Sequence, residues 1–485
     1  MRPSVRFLDD ALIERIVSEG RDLICDLGVE IHNDNAVSML ADHGAGVDPQ
    51  KGRVHFTHDI IDRALDAAPS CFELYDSLGG KAVELGGWNV SFTPGSAAIN
   101  ILDPATQKLR RPETADYVRF CKLCCGMDEI ASQATAMIPV DVPERISDSY
   151  RLYLSLRFCA KPVVTGAFTA EAFAIMRDLQ LAVRGSREKL AARPLTVFSC
   201  CPTSPLKWSD VTSQNLLDCA EYSIPVEYIS MPLSGFMAPV TLVGSLVQHT
   251  AETLSGLALS QLTRPGTPVL YGGSPAIFDV RCETTPMGAI DTMMMDCAYN
   301  EIGKWLGLPT QAYIGLSDAK LLDAQAGLET SMGATLAALA GINQISGPGM
   351  LDFESSFSLE KLVLDNEICG MTSRMLAGIE PKEDFPSLPR FEELLAERHL
   401  LISDHTRRYL REEIHVPGPT IDRANRSRWQ QRGGLTLRER AHREVERIVD
   451  AYEPVQLDGD TRRELTRRME REAQRFGMER LPETE

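Results

Sequence analysis

Histidine is scarce in this chain: nine in 485 residues, seven of them before Cys71 or after Leu400 and an eighth at His399. Only His249 falls in the central region, inside the helical pattern LVQHTAETL, where it reads as a structural histidine. A zinc site needs three or four converging ligands. The cluster RFCKLCCGM (Cys121, Cys124, Cys125) has no second CxxC to complete one, so it reads as a buried helix face and no metal site is expected. Neither a GxGxxG opening a βαβ unit nor a GxxxxGK[ST] is present, which leaves nicotinamide and nucleotide-phosphate sites without direct support. Serines and cysteines such as Cys200 and Cys201 lack an evident histidine partner, which weakens a catalytic triad.

Long apolar runs are also missing. GINQISGPGMLDF and LVGSLVQHTAETLSGLALSQL are both broken by polar groups, well short of the ~18 apolar residues of a membrane span. Asp9, Asp10 and Glu14 stand where the apolar stretch of a signal peptide would lie. A cytoplasmic protein without a membrane partner is expected, its twelve scattered cysteines reduced. Positive charge is in deficit, with 50 Lys and Arg against 68 Asp and Glu for a net charge of −18, which argues against nucleic acid as a partner. Residues 401–485 alone are balanced, with 18 arginines against 17 acidic residues. This tail reads as a solvated helical face, with a docking surface for a partner as the sharper alternative.

What is abundant is a repeated strand pattern. Eight short apolar or β-branched runs occur: NVSFTPG (89–95), EIASQATAMIPV (129–140), KPVVTGAF (161–168), PLTVFSCCP (194–202), PVEYISMP (225–232), PVLYGGSP (268–275), PTQAYIGLSD (309–318) and INQISGPG (342–349). Several begin at proline and end at Gly, Ser or Pro, the punctuation of buried parallel strands. Amphipathic helical stretches lie between them. Eight such β-then-α units predict an α/β chain with a (β/α)8 TIM barrel over 86–377. An N-terminal, mainly helical extension is expected over 1–85, with helices at 9–27 and 34–44, and a second helical extension over 378–485.

In such a barrel the chemistry sits at the carboxyl ends of the strands. Glycines there, including Gly272, Gly273, Gly347 and Gly349, predict a wide mouth that lets a large flat ligand approach. The segment GLSDAKLLDAQAGLET (315–330) crowds Ser317, Asp318, Lys320, Asp323, Gln325 and Glu329 into one βα loop. Helix capping is its bland reading and site chemistry its sharp one. Aromatic residues near strand ends, among them Phe168, Tyr271, Tyr313, Phe353 and Phe357, suit a quaternary ammonium ligand by cation–π attraction. A barrel lyase with a Lys320 Schiff base is a different reading, and it requires Lys320 to point inward.

The segments CPTSPLKWS (201–209), LVGSLVQHTAETLSGLALSQL (242–262), YGGSPAIFDV (271–280), SDAKLLDAQAGLET (317–330) and GPGMLDFESSFSLEKLVLDNEI (347–368) resemble the corrinoid-dependent trimethylamine methyltransferase family. The resemblance implies a TIM barrel whose mouth receives the cobalamin of a separate corrinoid protein. It also implies transfer of a methyl group from a methylated amine to the Co(I) corrinoid. Archetypal members carry pyrrolysine three residues before the Asp of the SDAK segment; here that position is Gly315, which offers no electrophile. A quaternary ammonium needs no such activation because it leaves as a neutral tertiary amine. The resemblance therefore points to glycine betaine or a similar quaternary amine. Trimethylamine itself, or a betaine-binding barrel without catalysis, are the alternatives.

On this reading Asp318 and Glu329 supply counter-charge. Tyr313, Gly315, Tyr271, Phe168, Phe353, Phe357 and Lys320 line the substrate, with Lys320 holding a carboxylate. Gly272, Gly273, Ser274, Gly347 and Gly349 admit the corrinoid. Tyr313 is expected to share its strand face with Gly315 by period-two alternation and to occupy part of the pyrrolysine space. A homo-oligomer is possible.

Overall fold

The structure is a computed structural model that describes residues 2–484. All eight expected runs contain a strand: β1 (Ser91–Thr93), β2 (Gln133–Ala134), β3 (Val163–Thr165), β4 (Thr196–Cys200), β5 (Val226–Ser230), β6 (Val269–Gly273), β7 (Gln311–Ala312) and β8 (Gln344–Ser346). Strands β2 to β6 form one continuous parallel sheet, and β7, β8 and β1 form another. Two seams close the ring. Tyr271 on β6 pairs with Thr310, its N–H donating to Pro309 O at 2.8 Å, and Phe92 on β1 pairs with Ile130, with Ala131 N–H donating to Phe92 O at 2.9 Å. A closed barrel leaves no open edge among these strands.

Each strand is followed by a helix: α1 (Thr114–Cys125), α2 (Ser147–Phe158), α3 (Ala170–Arg184), α4 (Asp210–Tyr222), α5 (Leu242–Thr263), α6 (Ile290–Trp305), α7 (Ala324–Ala340) and α8 (Leu359–Leu376). Most start at a Ser, Thr or Asp whose side chain accepts from the first turn, as Thr169, Ser209, Thr241, Asp323 and Ser358 do. Strand residues alternate between the helical layer and the barrel interior. On β4, Phe198 and Cys200 join the outer core while Val197 and Ser199 face inward, and on β5 Tyr228 packs outward while Glu227 faces inward. Among the described residues no helix is long and apolar enough to cross a membrane.

The N-terminal extension departs from the mainly helical expectation. Its helices Asp10–Asp22 and Asp34–Asp42 lie where the pattern places them, but five short strands accompany them. Three of these pair with one another and, through Val29–Ile31, with Lys207–Trp208 in the loop after β4. The other two form a hairpin, Cys71–Tyr75 with Lys81–Gly86. Its Phe72, Leu74, Val83 and Leu85 pack against Val197 of β4 and Leu270 of β6, sealing the floor of the barrel with apolar surface. Short, half-buried strands carry too little periodicity to separate from loop, which is why the helical expectation missed them. At the other end of the chain, helix Leu437–Asp450 packs on α8 and α1, and helix Gly459–Arg475 on α2 and α3.

Candidate active site

Above its apolar floor the barrel interior is polar. Glu227 is fully buried and accepts from Ser199 Oγ at 2.6 Å and from Gln344 Nε2 at 2.6 Å. Burial raises its carboxyl to about 7, against the two hydrogen bonds that lower it. Higher up, the Tyr313 hydroxyl meets Ser96 Oγ at 2.8 Å. Glu354 stands at the top, its Oε1 buried and without a hydrogen-bond partner, its carboxyl held well above the ordinary range by burial and by the charge of Glu227. Gln311 Nε2 and Ser346 Oγ are likewise buried and unpartnered. Ser96, Ser199, Cys201, Gly166 and Glu354 keep partial exposure here, so the lumen holds space.

Buried carboxylates are tolerated when a cation or hydrogen bonds compensate them. No Lys, Arg or His contributes to the electrostatics of Glu227 or Glu354. Asp296 on α6 adds a third buried carboxyl, with both oxygens unpartnered and the charge of Glu354 nearby. Glu227 and Glu354 thus give the lumen carboxyls that burial drives toward the uncharged form, with no cation among the described side chains beside them.

A strained turn delivers Glu354. Asp352, Phe353 and Glu354 have φ of +51°, +56° and +63°, three successive non-glycine residues in the left-handed region. Each such residue is disfavoured by roughly 1–2 kcal/mol, and strain of this kind concentrates at functional sites. The turn is held from the SDAK segment: Asp352 N–H donates to Ala319 O at 3.0 Å, Lys320 Nζ lies 3.3 Å from Asp352, and the same ammonium sits 3.9 Å from the Phe353 ring centroid. Lys320 is therefore on the rim, already paired and more than half exposed. It does not point inward as a Schiff-base lysine must.

The other acids of that segment brace the mouth. Asp318 accepts from the N–H groups of Met287 and Gly288 at 3.0 and 2.8 Å, fixing the loop between β6 and α6. Burial first, then the neighbouring Glu329, raises its carboxyl to about 6. Glu329 accepts from Ser317 Oγ at 2.6 Å and Asp318 N–H at 2.8 Å. Both side chains are occupied by loop anchoring.

The remaining expected site residues divide. Tyr313 is in the lumen. Tyr271 is not: its hydroxyl donates to Thr250 Oγ1 of α5 at 3.1 Å, and its ring lies beside His249 and Tyr299 in the helical layer. Phe357 is fully buried edge-on against Phe120 of α1. Phe168 is exposed on the rim, near the Arg151 guanidinium. Gly315 corrects the alternation argument: at φ +77° it leaves the strand conformation, and a Cβ there would face Ala334 and Ile345 in the outer layer, not the face of Tyr313.

The glycines expected to open the mouth are instead required by packing. A side chain at Gly272 would strike Gln311, at Gly273 His249, at Gly347 the Ile314 carbonyl and at Gly349 the Phe357 ring. Ser274 is buried, its N–H donating to Ser230 O at 3.0 Å. His249 is structural: burial lowers its pKa to about 3, its Nε2 meets Gly272 O at 3.0 Å, and its ring stacks on Tyr299 at 4.2 Å.

Glu227, Glu354 and Asp296 were not singled out from the sequence. The first had a readable signal, an acid at the centre of the buried run PVEYISMP. The other two had none, because a left-handed turn and a helix face place them.

Comparison with known proteins agrees with this architecture. The chain is 29% identical over 430 residues to a trimethylamine methyltransferase of Desulfitobacterium hafniense, spanning 89% of this chain and 86% of the relative. It is 28% identical over 458 residues to a glycine betaine methyltransferase of the same species, spanning 94% and 95%. The trimethylamine methyltransferase of Methanosarcina barkeri is 30% identical over 445 residues, spanning 90% and 89%. In fold, the chain resembles the monomethylamine methyltransferase of Methanosarcina barkeri with a TM-score of 0.54 at 13% identity, covering 92% of this chain and 89% of that one. The family description trimethylamine methyltransferase (MTTB) matches residues 1–477, and the chain belongs to that family.

Proposed function

We propose that this protein transfers a methyl group from a quaternary amine, glycine betaine or a similar compound, to the reduced corrinoid of a partner protein. The observation that carries the reading is the pair of buried lumen carboxylates, Glu227 and Glu354, with no protein cation beside them. A permanently charged trimethylammonium group supplies that counter-charge, and Tyr313, in the same lumen, is the aromatic residue proposed to meet the cation. A corrinoid, when docked, supplies the nucleophile for the methyl group.

The mouth suits such a visitor. Ile99, Val140, Phe168, Phe236 and Val280, from loops after β1, β2, β3, β5 and β6, all expose large apolar surface on the carboxyl face of the barrel, and Leu328 does so near the start of α7. Large apolar side chains exposed on one face mark a surface that a partner covers. The fit is to a protein-borne group covering the mouth, with these rim residues holding it, rather than to a cofactor sunk among the strand-end glycines.

The chemistry assigns the lumen residues to binding. Nitrogen is cationic in the substrate and neutral in the product, so positive charge declines toward the transition state. Carboxylates that attract it hold the ground state at least as strongly as the transition state and act on KM, not kcat. Rate enhancement then comes from orienting one methyl toward the mouth and from excluding water. Tyr313→Ala is expected to raise KM about tenfold or more, through loss of cation–π contact of ~1–2 kcal/mol. An unchanged KM removes Tyr313 from the substrate site.

Glu227 makes the binding pH-dependent. Its folded-state carboxyl titrates near 7 instead of 4.5, so the uncharged form is the one the fold favours. Stability from this group is full below about 4.5 and declines as pH rises to about 7. Cation capture runs the other way, because only the carboxylate attracts it. The expected kcat/KM rises with pH through about 7 as Glu227 ionises, and the double variant Glu227→Gln, Glu354→Gln, which removes both lumen carboxyls, flattens that limb. A limb that persists in the double variant assigns the titration elsewhere.

A further inference from the structure

We propose that a cavity in the C-terminal extension, apart from the barrel lumen, binds a small anion carrying two or more phosphate groups. Its signature starts in the sequence. Residues 423–443, RANRSRWQQRGGLTLRERAHR, hold seven arginines and one acid, Glu439, in a chain whose net charge is −18. Glu439 is taken up by helix capping, accepting from the N–H and the hydroxyl of Thr436 at 2.7 and 2.8 Å.

The rest of the tail shows how this chain ordinarily neutralises arginine. Arg447, Arg463, Arg467 and Arg475 each pair with an acid three residues earlier on the same helix, Glu444, Asp460, Glu464 and Glu472. None of the seven arginines of 423–443 has an acid at that spacing, and none makes an ion pair among the described residues. Like charges gathered in this way oppose the compact state unless an anion offsets them.

The fold places most of these charges around one concavity. A cavity of about 690 Å³, the size of a small-molecule site, is lined by Arg423, Arg428, Arg432, Arg440, Arg443 and Arg447, with Asp422 and Glu444 as its acids. Glu444 is committed to Arg447 at 2.6 Å, and Asp422 accepts the Ala424 N–H at 2.9 Å. Positive charge is therefore in excess around the space. The walls are fixed from behind: Arg440 donates to Thr420 O at 2.9 Å and to Leu435 O at 2.5 Å, Trp429 Nε1 donates to Leu435 O at 3.0 Å, and the Gly418 N–H donates to Glu367 of α8 at 2.9 Å. The side chains of Arg423, Arg428, Arg432 and Arg443 make no hydrogen bond among the described residues, which leaves their forks for a ligand. A guanidinium fork meets phosphate oxygens two at a time, and several forks on one cavity suit linked phosphates, whose charge is concentrated in a small volume. An acidic protein face would meet only the edge of such a concavity. Arg438, on the same helix as Arg440 and Arg443, donates to Pro104 O in the loop after β1 at 3.2 Å, which sets the cavity beside the barrel mouth and outside the lumen.

Calorimetric titration of the full chain with pyrophosphate at low ionic strength tests this. Saturable one-site binding with a Kd below about 1 mM is expected, tighter than for citrate, a polycarboxylate. Arg428→Gln with Arg432→Gln weakens it tenfold or more without lowering the melting temperature of the ligand-free protein, because neither side chain bonds within the chain. Arg463→Gln with Arg467→Gln removes the same charge from paired arginines of the tail and leaves the Kd within about twofold. Absence of saturable binding overturns the proposal. So does equal weakening by the two double variants, citrate binding as tightly as pyrophosphate, or an oligoglutamate peptide that binds where pyrophosphate does not, which makes the cavity a protein contact.

Discussion

Glu354→Gln raises KM for a quaternary amine about a hundredfold and leaves kcat unchanged or slightly higher. An opposite charge about 4 Å away in a partly screened site is worth roughly 4 kcal/mol at most, part of it is offset by ionising a carboxyl that burial holds protonated, and Glu227 remains to hold the cation, so a loss of up to about 3 kcal/mol, or two orders of magnitude, follows. The split between KM and kcat comes from the chemistry, since nitrogen loses its charge as the methyl group departs. The substitution is isosteric, and the charged groups near Glu354, Glu227 and Asp296, are both of like sign, so stability does not fall with it. Steady-state kinetics with a thermal melt on the same protein read both. A fall in kcat at constant KM contradicts the binding role and makes Glu354 part of the chemical step.

Lys361→Met costs about 3–5 kcal/mol of stability, the usual penalty for leaving one member of a buried ion pair uncompensated. Lys361 and Asp365 are one turn apart on α8 with both side chains fully buried. Lys361 Nζ also donates to Thr330 Oγ1 of α7 at 2.9 Å, and Asp365 accepts the Gly349 N–H at 2.6 Å. This pair joins α7, α8 and the end of β8 directly beneath the strained turn that carries Glu354. Burial raises the Asp365 carboxyl and Lys361 is the main influence opposing it. Adding Asp365→Asn to Lys361→Met restores much of the loss, because the amide oxygen still accepts from Gly349 without a charge. Urea unfolding of the two variants decides it, and a loss below about 1 kcal/mol for Lys361→Met is the contrary result.

The barrel was legible because parallel strands buried on both faces read as compact apolar runs, and PVVT, PLTVFS, PVEYI and PVLYG each announce themselves with a proline. The lumen was less legible for reasons of parity. Tyr271 and Tyr313 look alike in the sequence, each an aromatic near the end of a strand with glycine close by, yet one faces α5 and the other faces Ser96. Only the register of the strands in the closed ring separates them. Gly315 defeats simple alternation through its left-handed backbone. The SDAK segment drew attention for its charge density, and the structure gives those charges to loops: Asp318 to Gly288, Lys320 to Asp352. The site acids are instead isolated ones, Glu227 inside an apolar strand and Glu354 on a turn that carries no glycine to mark it.

The proposed function stands on a fixed cation entering the lumen. Its most direct test is the spectroscopic rate of cobalamin methylation, with the reduced corrinoid protein and this enzyme, over a panel of quaternary amines set beside trimethylamine. Turnover is expected with at least one quaternary amine, glycine betaine or a close relative, and none above background with trimethylamine. Turnover of trimethylamine while every quaternary amine fails contradicts it.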